Sequence, residues 1–342
     1  MSSSLLVTLE IPRHLNDQRV DAALTTLIQE KFPDESPLSR AFLTRSLNDG
    51  VILLNGEPVL ARTLVVTHDR VTFPRDIFEK KTVLEPLKGK IDLEVLSENE
   101  HFLILNKGPG VQMHQGGHYD GGTVAAWLVT HYPDLVTVGE DPLRPGIVHR
   151  LDRDTSGALV VARDSETFIE LKNAFQKREI AKTYIALVYG HLSNLEGEVT
   201  ASLIRKPGEL RRRAIDTETY TGTLPGNARS AFTSYRVIAR YEEYDLVELS
   251  PKTGRTHQLR VHLSFLGHPV VGDSLYAFKE VKRKNLLVPE RQLLHAAKLA
   301  FSLHGLSYEF TAPLAEDFRN VLKSLDETLE ASYDDEALKS LF

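Results

Sequence analysis

Apolar residues follow two different periods along the chain, and the first part of the sequence combines both within a short span. In residues 19–32 they recur every three or four positions, which is typical of an amphipathic helix. A second helix is predicted over residues 39–50, where the pattern starts after a serine and stops at a glycine. Strand-forming runs follow at residues 51–59, around an Asn-Gly turn, and at 70–74. The pattern predicts a compact α/β module over residues 12–75.

The second part of the chain is longer and richer in strands. Residues 76–90 form a polar stretch without periodicity, which indicates a linker. Beyond it, helical and alternating patterns are interspersed without regular βαβ alternation. Strands are predicted at residues 93–99, 101–106, 182–190, 231–241 and 244–251, and helices at 122–133, 164–180 and 254–269. We therefore expect an α+β fold with a mixed, mainly antiparallel sheet over residues 91–325, followed by an acidic tail over 326–342.

Composition narrows the class of protein. The chain has 342 residues, 42% of them hydrophobic and 26% charged, as in an ordinary globular protein. Its first residues lack the basic and apolar regions of a signal peptide, and no stretch is apolar enough to span a membrane. The sequence contains 0 cysteines, which excludes disulfides and fits a reducing compartment. We expect a cytoplasmic protein without a membrane partner.

Charge is unevenly distributed along the chain. The formal net charge is −6, yet residues 144–300 hold 25 Lys and Arg against 18 Asp and Glu. Residues 315–342 hold eight Asp and Glu against three Lys and Arg. The acidic end thus masks a basic middle that suits contacts with phosphates. The alternative is a charged surface whose signs average out by chance.

Familiar catalytic and cofactor motifs are missing from the sequence. The glycine-rich residues 108–117 lack the Gly-Lys-Ser/Thr of a phosphate-binding loop, and there is no Gly-x-Ser-x-Gly. The 13 histidines include no His-Glu-x-x-His. His257 and His262 are five positions apart, which directs them to different helix faces. The sequence therefore predicts no metal and no cofactor.

An unusual density of charge lies in residues 149–157, HRLDRDTSG, between two apolar runs. Asp152 stands there beside Arg150, and a carboxylate that serves as nucleophile or base in an apolar site needs such a cationic partner. The plainer interpretation of Asp152 is a turn-capping aspartate. Further along the chain, Tyr184 is either a site residue or an ordinary strand aromatic. Arg255 is a site residue, a surface ion-pair partner or a phosphate contact.

Residues 144–162, RPGIVHRLDRDTSGALVVA, resemble the signature segment of the RluA family of pseudouridine synthases. Other segments agree with this family in the same order along the chain, so that residues 92–320 are covered. The module over residues 12–75 is similar to the S4 RNA-binding module that precedes the catalytic domain in the RluC and RluD branches. The further matching segments are LSENEHFLILNKGPGVQMH, KTYIALVYG, PKTGRTHQLRVHLSFLGHPVVGD and LLHA.

The resemblance implies a role for individual residues. Asp152 matches the catalytic aspartate, and Tyr184 matches the tyrosine that stacks on the target base. Arg255 matches the arginine that pairs with the aspartate, and Arg150 the arginine that occupies the gap left by the flipped base. Lys107 matches the lysine of a Lys-Pro-x-Gly turn, although this sequence reads Lys-Gly-Pro-Gly. We expect Lys107 and Arg150 to contact RNA.

Two basic tracts are further candidates for phosphate contacts, with a solvated surface loop as the alternative for each. They are residues 205–213 and residues 279–284. Between residues 14 and 73, six Lys and Arg stand against eight Asp and Glu, which argues against RNA binding by net charge in the S4-like module. The RNA-binding candidates in the first tract are Arg205, Lys206, Arg211, Arg212 and Arg213.

The implied activity is the isomerisation of uridine to pseudouridine in RNA, and the RluD-like features favour large-subunit ribosomal RNA. The uridine must be flipped out of its stack to react. The sequence does not distinguish whether Asp152 attacks the ribose, attacks the base or abstracts a proton. Alternatives are a synthase acting on tRNA and a non-catalytic RNA-binding or ribosome-assembly protein on the same scaffold. A glycoside hydrolase is disfavoured because Asp152 and Asp154 are flanked by arginines, which lower the pKa of a carboxyl instead of raising it. We expect a monomer.

Overall fold

The computed structural model describes most of the chain. Residues 79–90 and 326–342, the predicted linker and acidic tail, lie outside the described residues. The described residues are 5–33, 35, 38, 40–78, 91–114, 122–141, 143–205, 212–216, 224–277 and 286–325.

The first part of the chain folds as a four-stranded antiparallel sheet with two helices. The sheet order is β1-β4-β2-β3. The predicted helices and the hairpin are confirmed, whereas β1 was not predicted. The elements are β1 (Leu6–Glu10), α1 (Val20–Lys31), α2 (Arg40–Asn48), β2 (Leu53–Leu54), β3 (Glu57–Pro58) and β4 (Arg70–Pro74).

The apolar residues that recur with helical period in this part of the chain form its core. Leu24 and Leu27 of α1 pack with Leu43 and Leu47 of α2, and all four side chains are buried. Burial of such leucines contributes about 1.5–3 kcal/mol each to folding. The same apolar core also includes residues of β4, so the two helices cover one face of the small sheet.

In its described residues, the second part of the chain contains a large sheet and four α-helices. Its strands are β5 (Glu94–Glu98), β6 (Phe102–Lys107), β7 (Ser156–Ala162), β8 (Ala181–Tyr189), β9 (Glu196–Arg205), β10 (Arg212–Asp216), β11 (Arg229–Arg240), β12 (Tyr244–Pro251), β13 (Leu294–Leu303) and β14 (Leu306–Thr311). Its helices are α3 (Val124–His131), α4 (Ser165–Lys177), α5 (Gln258–Phe265) and α6 (Glu316–Leu325).

The large sheet has 10 strands in the order β10-β9-β11-β12-β8-β13-β7-β6-β5, with β14 paired to β13. Among the described strands, β7 and β13 form the one parallel pair and every other pair is antiparallel. The predicted α+β class with a mixed, mainly antiparallel sheet is confirmed. The sequence pattern did not predict β7, β9, β10, β14 or α6, and only the family resemblance indicated the start of β13.

The sheet forks at β13, and this fork forms the centre of the domain. One edge of β13 pairs with β8. The other edge pairs with β7 only at His295 and Ala296, and with β14 from Lys298 onward. Because β7 pairs with β13 only through its first residues, Ser156 and Gly157, the turn that precedes β7 ends beside β13.

Helix α5 begins later than its periodicity predicts. The sequence favours a helix from residue 254, but His257 adopts a left-handed backbone conformation with φ 59°, and α5 starts at Gln258. The side-chain amide of Gln258 donates to the Phe232 carbonyl at 2.9 Å and to Thr233 Oγ1 at 3.0 Å. These bonds attach the start of the helix to β11 and set which side chains face the sheet.

None of the helices in the described ranges has the length and apolarity needed to cross a membrane.

Candidate active site

The charged segment 149–157 forms a turn that leads directly into β7. Gly157, at the end of this turn, has φ +117°, and a Cβ there would lie 2.2 Å from the carbonyl oxygen of Ala296. Only glycine allows the two backbones to approach so closely. Across the sheet, Ala296 pairs with Tyr184 of β8. Because Gly157 and Tyr184 both pair with Ala296, the strand register places the turn and the tyrosine at the same level along β13.

Two buried cations hold the backbone of this turn. Lys107 Nζ donates to the Arg153 carbonyl at 2.8 Å, and Arg291 Nη1 donates to the Asp154 carbonyl at 3.1 Å. Arg291 is itself fixed through its Nε and Nη2 atoms, which donate to Asp317 at 2.6 and 2.7 Å. The turn is thus positioned by side chains from β6 and from the segment before β13.

The prediction that Lys107 contacts RNA is corrected by its burial. The side chain is 0% exposed, and Nζ also donates to the carbonyls of Gly108 and Val111 at 2.9 and 3.0 Å. Burial lowers the pKa of this lysine to about 7, and the charges of Asp154 and Asp152 oppose that shift. The ammonium group therefore stabilises the turn from inside the protein instead of meeting a phosphate.

The carboxylate of Asp152 lies at the edge of a pocket and is 19% exposed. Its Oδ2 atom accepts a hydrogen bond from Arg260 Nη1 at 3.1 Å. The prediction that Arg255 makes this pair is wrong: Arg255 Nε donates to the Ser230 carbonyl at 3.3 Å, and its guanidinium is exposed. The cause is the late start of α5, which leaves Arg255 ahead of the helix and directs Arg260 of the first turn toward Asp152.

Arg260 is buried between two carboxylates. Its Nε and Nη2 atoms donate to Asp273 at 2.6 and 2.9 Å, and its third donor reaches Asp152. Burial by itself lowers the pKa of the guanidinium, but the hydrogen bonds and charge of Asp273, together with the charge of Asp152, outweigh it and raise the pKa. Arg260 is therefore a permanent cation at this site.

Four of the sequence-predicted side chains meet at this pocket: Arg150, Asp152, Tyr184 and Arg255 all line it. Burial raises the pKa of the Tyr184 hydroxyl, and the charge of Asp152 adds to the effect, so the phenol stays protonated at neutral pH. His257 also lines the pocket, with Nε2 3.9 Å from Asp152 Oδ2. The pocket offers one carboxylate, one phenol and several cations to a ligand.

The pocket is small, about 90 Å³, and opens onto a larger cleft of about 610 Å³. Both share Arg150, Lys182, Tyr184 and Arg255 in their walls. Among the residues that the structure describes, the cleft wall includes no Asp or Glu. Its lysines and arginines are Arg144, Arg150, Lys172, Arg178, Lys182, Lys252 and Arg255. Such a wall favours a polyanion.

Several predicted RNA contacts cannot be located in the structure. Lys206, Arg211 and the tract 279–284 lie outside the described residues. Arg205 ends β9, and Arg212 and Arg213 begin β10; only their backbone is described. Their contact with RNA stays a prediction.

Sequence reasoning missed Arg260, Asp273 and the cations of the cleft other than Arg150 and Arg255. A signal for Arg260 was present, because this charged residue stands directly between the apolar residues Leu259 and Val261 of the helix. Asp273 likewise follows two buried valines and a glycine. The cations of the cleft come from segments far apart in the chain and share no local pattern.

Comparison with known proteins identifies the family. A family model described as RNA pseudouridylate synthase matches residues 101–265, which include the turn, β8 and α5. The uncharacterized RNA pseudouridine synthase YlyB of Bacillus subtilis is 32% identical over 293 residues, covering 85% of this chain and 91% of that protein. The ribosomal large subunit pseudouridine synthase D of Pseudomonas aeruginosa is 30% identical over 341 residues, covering 97% and 99% of the two chains.

Structural comparison agrees with the sequence relatives. Human RNA pseudouridylate synthase domain containing 4 superposes with a TM-score of 0.54 at 25% identity, covering 68% of this chain and 92% of that one. The carboxylate pocket, its basic cleft and full-length relatives at 30% identity and above point to the same chemistry. The chain therefore belongs to the RluA family and is an RNA pseudouridine synthase, which isomerises uridine in RNA.

Proposed function

We propose that Asp152 is the catalytic carboxylate of this enzyme and that its substrate is large-subunit ribosomal RNA. The observation that carries the first part is the setting of Asp152: a largely buried carboxylate at the edge of a pocket, bonded to a permanent cation through one of its oxygens. No hydrogen bond to Asp152 Oδ1 occurs among the described residues. That oxygen is free to act on a nucleotide.

The isomerisation of uridine requires a group that can act as a nucleophile or a base. The bond between C1′ and N1 of uridine breaks, a bond between C1′ and C5 forms, a proton leaves C5 and a proton is gained at N1. The isomerisation is redox-neutral and uses no water as reactant. Asp152 and the protonated Tyr184 are the groups of the pocket that would face the reacting nucleotide. Attack on the ribose, attack on the base and abstraction of a proton each use the carboxylate of Asp152, and the hydrogen bond from Arg260 orients that group.

The reacting uridine must leave its stack to enter the pocket. Arg150 is exposed and lines both the pocket and the cleft, so its guanidinium is available to the space that a flipped base vacates. A planar group with several donors suits that space better than a lysine would. Tyr184 supplies the aromatic face on which the flipped base would stack.

The basic cleft supports a path for the RNA backbone toward the pocket. Arg178 and Lys252 are exposed in its wall and are well placed for phosphate contacts. Contacts of this kind release counterions, so binding weakens as salt rises.

Replacing both Arg178 and Lys252 by alanine is expected to weaken RNA binding. The slope of log Kd against log salt concentration should fall by an amount that corresponds to about two released counterions. The rate at saturating enzyme should stay within about twofold, because neither side chain lines the pocket that holds Asp152. Filter binding between 50 and 200 mM salt measures the slope. Lys298→Ala, on β13 outside the cleft wall, is the control. An unchanged slope in the double variant would exclude this path.

The ribosomal substrate is supported by a relative. The Pseudomonas aeruginosa protein matched over nearly its whole length is named a ribosomal large subunit pseudouridine synthase. The first part of the chain, with two helices on a small sheet, is proposed to act as an S4-like module that selects the RNA, and the protein to work as a cytoplasmic monomer. Domain boundaries at residues 12, 75, 91 and 325 belong to the same proposal.

The substrate is tested by presenting the purified enzyme with large-subunit rRNA and with bulk tRNA, each labelled with 5-tritiated uridine. Release of tritium from rRNA alone is expected, and mapping of pseudouridines in cells lacking the protein should show the loss of sites in that rRNA. Release from tRNA alone would assign the enzyme to tRNA. A version lacking residues 1–80 should lose selection between sites more than it loses rate.

A further inference from the structure

Asp273 is the second partner of Arg260, and the proposed reaction gives it no task. Its side chain is 0% exposed. Besides the guanidinium, Asp273 Oδ1 accepts hydrogen bonds from the backbone N–H groups of Leu275 and Tyr276 at 2.9 and 3.0 Å. The carboxylate is therefore fixed to its own turn independently of Arg260.

The turn itself is held in place by the neighbouring segment. Gly272 has φ +79°, and a Cβ there would lie 1.9 Å from the carbonyl oxygen of Arg291. The same Arg291 holds the Asp154 carbonyl of the catalytic turn. Asp273 and the turn of Asp152 are thus built against one common segment, which sets the distance that Arg260 has to span.

The donors of Arg260 are divided unequally between the two carboxylates. Asp273 takes Nε and Nη2, which leaves Nη1 for Asp152. An arginine with a single carboxylate partner prefers two parallel hydrogen bonds, one to each oxygen. The ring of Tyr276, 5.2 Å from Arg260 Cζ, covers one face of the guanidinium and further restricts its rotation.

We propose that Asp273 is a positioning residue for the reaction: it holds Arg260 so that Asp152 receives one hydrogen bond and keeps its other oxygen for the uridine. This inference rests on the proposed catalytic role of Asp152. Asp273 also shares the positive charge of Arg260, so that this charge is not directed at Asp152 alone. A nucleophile or a base needs an oriented oxygen that can reach its substrate.

The test is Asp273→Asn in the full chain, measured at saturating enzyme with labelled RNA. The amide matches the carboxylate in size but accepts through one atom only, so the guanidinium is expected to turn and form two bonds with Asp152. We expect the single-turnover rate to fall about 10²-fold, the effect of a misplaced reacting group, while the Kd for RNA stays within about twofold.

Asp245→Asn is the matched control for the loss of a buried carboxylate. Asp245 is 0% exposed, accepts hydrogen bonds from Leu192 N and His191 at 2.8 Å, and is not among the residues of the pocket wall. A rate loss in Asp273→Asn no larger than that in Asp245→Asn overturns the inference.

A double-mutant cycle covers the case in which a single variant folds poorly. Arg260→Met combined with Asp273→Asn removes the cation and its buried partner together, so no charge is left unpaired between them. If Asp273 acts through Arg260, the double variant reacts as slowly as Arg260→Met alone. A further tenfold loss in the double variant would overturn the inference.

Asp152→Asn, measured beside these variants, separates the two proposals. If it is inactive while Asp273→Asn matches its control, the positioning role alone is wrong. If Asp152→Asn is active, the catalytic assignment itself fails.

Discussion

Asp152→Asn is expected to abolish pseudouridine formation, with a rate loss of about 10³-fold or more, the scale on which essential catalytic groups act. The substitution removes the charge and one acceptor but preserves the shape of the side chain. Its amide oxygen still accepts from Arg260 Nη1, so the turn and the pocket should persist. Binding of RNA through the cleft should therefore change by less than about threefold. Tritium release from 5-tritiated uridine measures the rate, and filter binding measures the affinity.

Asp154→Asn is the control for this substitution, because it also replaces a carboxylate of the same turn with an amide. The Asp154 carboxylate pairs with the exposed Arg153 through two hydrogen bonds of 2.9 Å. Exposed pairs of this kind contribute little, so activity within a few-fold of wild type is expected. Full activity in Asp152→Asn would reject its catalytic role. Loss of RNA binding in that variant would assign Asp152 a structural one.

Arg260→Met should have the second largest effect, because it acts on both catalysis and stability. It leaves Asp273, 0% exposed, and Asp152, 19% exposed, without their common cation. Removing one partner of a buried ion pair costs about 3–5 kcal/mol in the free energy of unfolding. The rate of the folded fraction should fall by at least about 10²-fold, since Asp152 loses the group that orients it. Urea unfolding and single-turnover kinetics measure the two effects separately.

Arg236→Met provides the comparison on the same sheet. Arg236 is 50% exposed and bonds Glu248 at 3.3 Å, and an exposed pair contributes at most about 1 kcal/mol. Asp273→Asn added to Arg260→Met should restore part of the lost stability, because it removes the stranded buried charge. Equal unfolding free energies for Arg260→Met and wild type would show that Asp273 is satisfied without Arg260.

Local sequence signals located much of the fold correctly. The helical period of residues 164–180 corresponds to α4, which Asp164 caps by accepting a hydrogen bond from Thr167 N at 2.8 Å. The Asn55-Gly56 turn has φ of 53° and 87°, as a two-residue hairpin requires. These signals succeed because periodicity, caps and turns involve residues close together in the chain.

The start of α5 shows where local signals fail. Periodicity extends the helix back to residue 254, but Gln258 bonds to β11 and His257 takes a left-handed conformation, so the helix starts four residues later. That shift decides between Arg255 and Arg260 as the partner of Asp152. The β11 residues to which Gln258 bonds, Phe232 and Thr233, lie 26 and 25 positions away in the chain, and their position is not encoded in the helical pattern.

By itself, the sequence determined the type of most elements, the turn that carries Asp152 and the family, because each depends on neighbouring residues or on a contiguous motif. Only the tertiary structure decided which arginine meets Asp152, that Lys107 is buried under the turn, and that the basic surface is a cleft beside the pocket. The physical reason is distance along the chain. Asp152 and Arg260 are 108 positions apart, and whether such residues meet depends on the register of the strands and the packing of α5 between them.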